Sequence, residues 1–489
     1  MFLGIDLGTS SVKLLLMAEN GSILDSISRE YPVRYYNDNW AEQNADDWWN
    51  AVVEGIREIV KKNGKDAVRA ISFSGQMHGS VLLDSAGEVL MPVILWCDQR
   101  THEECDYLNK EIGVDVLLRE TGNPALTGFT APKLLWVRKN HPEIFEKIDK
   151  VMLPKDYIAY RLTGSYSTDM SDASGMILLD VKNRRWSEKM LEICGLDESQ
   201  LPTLYESYEV VGTVQSSVAD ELGLRDDVQV SAGAGDQAAG AVGTGAVTMG
   251  LASIALGTSG VVFAPAAAYP TPDASLHTFA DASGKWHQMG VVLSAASCLK
   301  WWTENIQKEA DIPKLLEEAS QCSPAARLVF LPYLIGERTP HNDPRAQGCF
   351  FGLNISHTRA EMTRALLEGV AFSLRDSYEL MKKAGTTIDA AAVSGGGSKS
   401  HLWLQIISDA LDIEVKVPET NEGPAYGAAI LAAVGFGTFG SVEEACSELI
   451  SYSKGLTPSN QSIYSKKFGV YQRLYSALKD EFVSLAAVK

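Results

Sequence analysis

The chain has 489 residues, more than a single hydrophobic core usually serves, so two or more domains are expected. Hydrophobic residues make up 45% and charged residues 21%, the balance of a soluble globular protein. A formal net charge of −19, from 62 acidic residues against 43 Lys and Arg, excludes nucleic acid and anionic membrane as default partners. It does not exclude phosphate, which backbone N–H groups or a metal ion bind locally.

The first residues, Met1 to Ile5, are apolar but meet Asp6 too soon for a secretory leader, and no apolar run is long enough to span a membrane. Ser11 to Met17 alternates weakly, and Glu19-Asn20-Gly21 is a turn before a further strand from Ser22 to Tyr31. The opening is therefore a meander with a Gly-Thr-Ser turn between its first two strands. Trp48, Trp49, Val52, Val53, Ile56, Ile59 and Val60 recur at helical spacing, and Asn63-Gly64 closes that helix. Ala67 to Ser74 reads as a buried strand running into Gly75-Gln76-Met77-His78-Gly79.

The same unit returns in the second half. Leu7-Gly8-Thr9-Ser10-Ser11-Val12 and Leu256-Gly257-Thr258-Ser259-Gly260-Val261 superimpose 249 residues apart, about half the chain. That spacing implies a duplicated core, with domains of 1–246 and 247–489. Thr358-Arg359-Ala360-Glu361 is a capping box that opens a helix closing at Gly385. Ala390 to Val393 is then a strand, Gly395-Gly396-Gly397 a turn and Ser400 to Leu411 a helix, an arrangement suited to seating a nucleotide. Helical spacing around Tyr471, Leu474 and Leu478 places the tail against the second domain.

Seven scattered cysteines without a Cys-x-x-Cys pair read as reduced thiols of a cytoplasmic protein, and no His-Glu-x-x-His suggests a zinc hydrolase. Four glycine loops, at Gly8, Gly233, Gly257 and Gly395, together point to a nucleotide, since glycine lets backbone N–H groups approach phosphate. The Gly395 loop does not fit a P-loop. A dinucleotide fold at Gly233 needs an acid about 20 residues on to hold the ribose. None stands between Gln237 and Pro272, which also lack Lys and Arg.

Asp236, an acid among small residues, reads either as a general base or as a helix N-cap. Asp6, between a strand and the Gly-Thr-Ser turn, reads either as a carboxylate for Mg²⁺ or as a turn-forming residue. Lys13 reads as a phosphate contact or a solvated strand residue. Trp96, Asp98 and Arg100 alternate as on a strand, facing a pocket or forming a structural ion pair.

Gly4-Ile5-Asp6-Leu7-Gly8-Thr9-Ser10 resembles the first phosphate loop of the FGGY carbohydrate kinases. Phe129 to Trp136 and Gly348 to Leu353, the latter continuing to Glu361, resemble their two signatures. Gln76-Met77-His78-Gly79, Trp96 to Arg100, Leu153 to Tyr157 and Gly336 to His341 resemble the branch that phosphorylates D-xylulose; the similarity runs from residue 2 to about 435. The resemblance implies an α/β, actin/Hsp70-like (ribonuclease H-like) fold of two domains with an interdomain cleft. It further implies a kinase using ATP and Mg²⁺. It gives Asp236 the part of catalytic base and Asp6 that of the carboxylate near Mg-ATP, with both acids at the metal. It puts Met77, His78, Trp96, Asp98 and Asp236 at the sugar. It puts Thr9, Ser10, Ser11, Lys13, Gly257 and Thr258 at the phosphates, and Gly395, Gly396 and Gly397 at the adenosine. Arg338 and His341 receive no chemistry. A homodimer is open, as are a ribulose, gluconate or glycerol acceptor and an ATP-dependent binding protein without kinase activity.

Overall fold

The computed structural model describes residues 1–37, 39–309, 311–420 and 422–488. Two mixed sheets carry the chain, and each is built around a Gly-Thr-Ser hairpin. In the first, β1 (Phe2–Leu7) pairs antiparallel with β2 (Ser11–Met17), which pairs antiparallel with β3 (Ile23–Glu30). On its other side β1 runs parallel to β4 (Ala70–Gly75), and β5 (Val210–Thr213) and β6 (Gln229–Ser231) extend the sheet beyond it. A two-residue strand, β7 (Ala234–Gly235), lies parallel to the end of β4.

The second sheet repeats this core. β8 (Gly250–Leu256) pairs antiparallel with β9 (Gly260–Ala266) and parallel with β12 (Ile388–Ser394). β10 (His277–Ala280) and β11 (Trp286–Val292) extend one edge and β13 (Glu414–Lys416) the other. The copies differ in one respect. Leu7 pairs with Val12 but Leu256 pairs with Gly260, so the second turn closes one residue sooner.

Helices cover both sheets because their apolar residues fall on one face. Helix α1 (Ala45–Asn63), capped by the Asn44 side chain on the Asp46 N–H, buries Trp48, Val52, Ile56 and Ile59 against the first sheet. In the second half α8 (Arg359–Lys383) starts at the Thr358–Glu361 capping box, and α9 (His401–Leu411) follows the glycine turn. The last helix, α11 (Gln461–Ala486), buries Tyr464, Phe468, Tyr471 and Leu474 in that same core.

The halves are joined through 244–249, between α5 (Asp236–Gly243) and β8. They are also interlocked. Helix α10 (Gly423–Gly435), from the second half, lies on the first sheet and crosses α5 with the backbones almost touching. A Cβ on Gly427 would lie 1.9 Å from the Ala239 carbonyl oxygen, and one on Gly4 would lie 2.0 Å from that of Ala425. Side chains are therefore excluded at these crossings. No helix among the described residues is long and apolar enough to cross a membrane.

Candidate active site

Three strand ends of the first sheet converge on one spot. Asp6 of β1 stands opposite Ser74 of β4, and Ser74 stands opposite Ala234 of β7, so the chain delivers Asp6 and Asp236 from either side of one strand. Ser74 Oγ donates to Asp6 Oδ1 at 2.8 Å. Asp236 is the first residue of α5, with Gly235 in the capping position, so it is not the N-cap. Burial, and next the neighbouring charge of Asp6, push the Asp236 carboxyl up to about 7. Burial likewise raises Asp6, against the Ser74 hydrogen bond and the charge of Lys13. Two neighbouring buried carboxyls that each resist ionisation are a donor pair whose charge a divalent cation would compensate. Among the described residues no group of three or more His, Cys, Asp or Glu could hold a metal by itself.

The strand β4 runs on into Met77 and His78. The Met77 thioether packs on Gly235, where a Cβ would meet Sδ at 2.9 Å. His78 takes a left-handed backbone, φ 73°, rare for a residue with a side chain. Lys133 clamps this segment: it lies on α2 (Thr130–Asn140), and its ammonium donates to the carbonyls of His78 (2.7 Å) and Gly128 (2.8 Å). Burial lowers that ammonium to about 7. His78 Nδ1 lies 2.9 Å from the Gly175 carbonyl. A carbonyl only accepts, so Nδ1 carries the hydrogen and Nε2 is left as an acceptor. Burial, with the charge of Lys133, holds His78 well below its ordinary pKa, and it stays neutral. Sequence reasoning missed Gly175, where a Cβ would lie 2.3 Å from the His78 ring.

The two hairpin turns are held alike. Around the first, Tyr31 Oη donates to the Gly8 carbonyl at 2.5 Å, Gln43 Nε2 to that of Thr9 at 2.7 Å, and the Tyr31 N–H to that of Ser10 at 3.1 Å. Around the second, the N–H groups of Ala295 and Ser297 bind the Thr258 carbonyl and that of Ala296 binds the Gly257 carbonyl. In each turn the glycine N–H is used internally, to Ser11 or Ser259. The N–H groups of Thr9, Ser10, Thr258 and Ser259 find no acceptor among the described residues. With carbonyls engaged and amides free, both turns offer the unpaired N–H donors that an anion seat requires. Ser11 starts β2, paired with Glu30 of β3.

The third glycine turn divides its labour. Cβ atoms on Gly395 and Gly397 would collide with Leu256, so those two seat the turn against β8, while around Gly396 there is open space. Gly396 and Gly397 line a cavity of about 880 Å³. Its walls come from α6 (Ala296–Trp301), α7 (Ile312–Ser320) and α9, with Leu299, Leu316 and Leu402 as its apolar lining. Its size and character suit a nucleoside.

Three residues sit otherwise than the alternation suggests. The 96–100 segment is no strand: the strand ends at Ile94 and Trp96-Cys97 is a turn. Asp98, 1% exposed, accepts from the Ala41 N–H at 2.6 Å and from the Arg100 N–H and guanidinium. Arg100 also pairs with Glu42 and stacks on Trp40 and Trp136, so Asp98 belongs to a closed structural ion pair. Trp96 does reach the site's rim, 45% exposed, its indole donating to Thr9 Oγ1 at 3.0 Å. Lys13 ion-pairs with Glu422, the residue before α10.

Beneath the Asp236 turn lies a buried charge cluster that the sequence does not announce. Lys155, on α3 (Pro154–Thr163), has its ammonium 2.6 Å from Asp156, 2.9 Å from Asp169 and 3.7 Å from Asp172, all at most 1% exposed. Asp169 accepts from Ser171 Oγ, which in turn accepts from the Gly235 N–H at 3.1 Å. The cluster thus holds the turn that carries Asp236.

This geometry coincides with similarity along the whole chain. The model for the N-terminal domain of the FGGY family of carbohydrate kinases matches residues 1–243, and that for its C-terminal domain matches 252–436. The xylulose kinase of Escherichia coli K12 is 40% identical over 483 residues, covering 98% of this chain and 99% of the relative. A solved structure named as a xyloylose kinase, from Brucella ovis, is 40% identical with a TM-score of 0.92, covering 98% of this chain and 99% of the other. A gluconate kinase from Lactobacillus acidophilus superimposes with a TM-score of 0.93 at 28% identity, each chain 99% covered. With its actin/Hsp70-like architecture of two duplicated sheets, the chain belongs to the FGGY family of carbohydrate kinases and is an ATP-dependent sugar kinase.

Proposed function

We propose that the protein phosphorylates D-xylulose at its 5-hydroxyl, giving D-xylulose 5-phosphate and ADP. The observation that carries this reading is Asp236 at the start of α5, its carboxyl raised to about 7 by burial and by Asp6, with Met77 packed on the preceding Gly235 and His78 next along the chain. The high similarity to xylulose kinases over nearly the full length supports the choice of acceptor.

In this reading the 5-hydroxyl donates its proton to Asp236 as its oxygen bonds to the γ-phosphorus and the bond to the ADP oxygen breaks. Such transfer needs mainly positioning and charge compensation. His78 Nε2 accepts from a sugar hydroxyl, and the Met77 thioether walls the chain of carbons. The free amides of Thr9, Ser10, Thr258 and Ser259 bind the phosphates from both domains, with Ser11 at the edge of the first turn, and Gly396 borders the adenosine. Asp6, with Asp236 beside it, would hold Mg²⁺, which when bound neutralises phosphate charge. Lys13 reaches a phosphate only by leaving Glu422. A site shared by two domains favours closure on the sugar, which keeps water from the triphosphate.

The test is a coupled ADP-release assay with MgATP across D-xylulose, D-ribulose, gluconate and glycerol, on wild type and Asp236→Ala. Turnover centred on D-xylulose, reduced by about 10³-fold or more in the variant, is expected. Preference for gluconate would replace the acceptor, and sugar-independent ADP release untouched by Asp236→Ala would remove the kinase mechanism.

A further inference from the structure

One buried amide joins the first phosphate turn to the Gln76–His78 segment. It belongs to Gln43, which ends the strand Trp40–Gln43, is 2% exposed and lies in neither of the two. Its Nε2 donates to the Thr9 carbonyl at 2.7 Å and to that of Pro32 at 3.2 Å. Its Oε1 accepts from Trp48 Nε1 at 3.1 Å and from Gln76 Nε2 at 2.9 Å. An indole N–H only donates and carbonyls only accept, so the amide has one permitted orientation, with its donors and its acceptor all in use.

Each contact sets a direction. A trans peptide points its carbonyl and its N–H to opposite sides, and the Thr9 carbonyl shares its peptide with the Ser10 N–H. Holding that carbonyl from one side therefore aims the Ser10 N–H to the other, where it is free to meet a phosphate. Tyr31 does the same for the Thr9 N–H through the Gly8 carbonyl. At the other end of the amide stands Gln76, the residue before Met77, its own N–H fixed on the Leu7 carbonyl at 2.8 Å. The Gln76 side chain has no hydrogen-bond partner but Gln43 among the described residues, and its oxygen is buried and unpaired. A shift of residues 76–78 is thus passed to Gln43 and from there to the turn.

Among the described residues the second turn has no counterpart. Its Gly257 and Thr258 carbonyls are held by the backbone N–H groups of Ala295, Ala296 and Ser297, so its brace is part of the main chain. We propose that Gln43 is a positioning residue that aims the Ser10 N–H at the nucleotide's phosphate and couples it to the Gln76–His78 segment, so that a bound sugar tightens the nucleotide site. Hydrogen-bonded amides in a chain polarise one another, so a firmer Gln76 contact strengthens the hold on Thr9. This rests on the proposed function, which seats the sugar at Met77 and His78 and the phosphate at Ser10.

The test uses the full-length wild type, Gln43→Met and Gln76→Met. A non-hydrolysable MgATP analogue is titrated calorimetrically with and without saturating D-xylulose. In the wild type the sugar should tighten the analogue by about 5-fold or more, and the analogue should tighten the sugar by the same factor. Gln76→Met keeps the hold on Thr9, so without sugar it should bind the analogue within about two-fold of the wild type, yet lose most of the sugar effect. Gln43→Met should bind the analogue about 10-fold more weakly with or without sugar. A full sugar effect in Gln76→Met, or none in the wild type, would overturn the proposal, and Gln76→Met decides it even where Gln43→Met does not fold. Lowered melting temperatures with the sugar effect intact would leave Gln43 a structural residue only and would overturn it as well. Absence of D-xylulose turnover in the wild type would instead sink the reading beneath it.

Discussion

Burial, and next the charge of Asp6, raise the Asp236 carboxyl, and that has a cost for the fold which a titration detects. In the metal-free protein the group moves from 3.8 to about 7 on folding. A raised acid favours the folded state below its unfolded value and withdraws that support as pH climbs through the folded one. Wild type should therefore lose stability relative to Asp236→Asn between about pH 4 and pH 7, leaving the inactive variant about 1–3 kcal/mol more stable at pH 8. Urea unfolding of both proteins across that range, without Mg²⁺ or nucleotide, measures it; a flat difference would contradict the assigned environment. Asp236 stood out in the sequence because no other charge follows it before Asp273. Of the readings open for Asp98 the structural ion pair with Arg100 holds, and the strand fails for a physical reason. The Asp98 carboxylate binds the N–H two residues on, at Arg100, which turns the chain and breaks the alternation that suggested a strand.

Among the elements, α3 and the short α4 (Met170–Ser174) support the turn that carries Asp236. Four charged side chains, Lys155 with Asp156, Asp169 and Asp172, are removed from water there, and a single cation serves three carboxyls. Burial raises the Asp172 carboxyl far above the ordinary range, against the charge of Lys155, so its ionised form is the most costly of the three. Replacing Lys155 with Met should destabilise the fold by about 3–5 kcal/mol, because it leaves buried carboxyls without a counter-ion. Adding Asp172→Asn should recover part of that loss in the same denaturant titration, and no recovery would mean that Asp172 is not part of the electrostatic burden. None of this was legible beforehand. The hairpins, the capping box at Thr358 and the last helix are written in local strings, whereas this cluster joins residues from separate helices that only the fold brings together. Gly175 is hidden for the same reason: its value is the space it leaves for a ring 97 residues away in sequence.

For the molecule as a whole, the string repeated at 249 residues revealed two sheets but not their interlocking. The first sheet is completed by α10, whose Ala425 and Ala429 press on Gly4 and whose Gly427 lies against α5. A fragment of residues 1–246 would expose the apolar surface around Phe2, Leu15, Ala239 and Val242 that α10 covers. Expressed alone it should aggregate or fail to unfold cooperatively, and co-expression with 247–489 should restore a soluble complex; a monomeric, cooperatively melting fragment would show that the lock is dispensable. The duplication has one further outcome. The residue matching Asp6 in the second hairpin is Ala255, paired with Ser394 as Asp6 is with Ser74. With the acid in one turn only, the two turns are chemically unequal, and under the proposed function a cation held at Asp6 would draw the terminal phosphate toward the first. The repeat makes the two turns alike, and a single carboxylate makes them different.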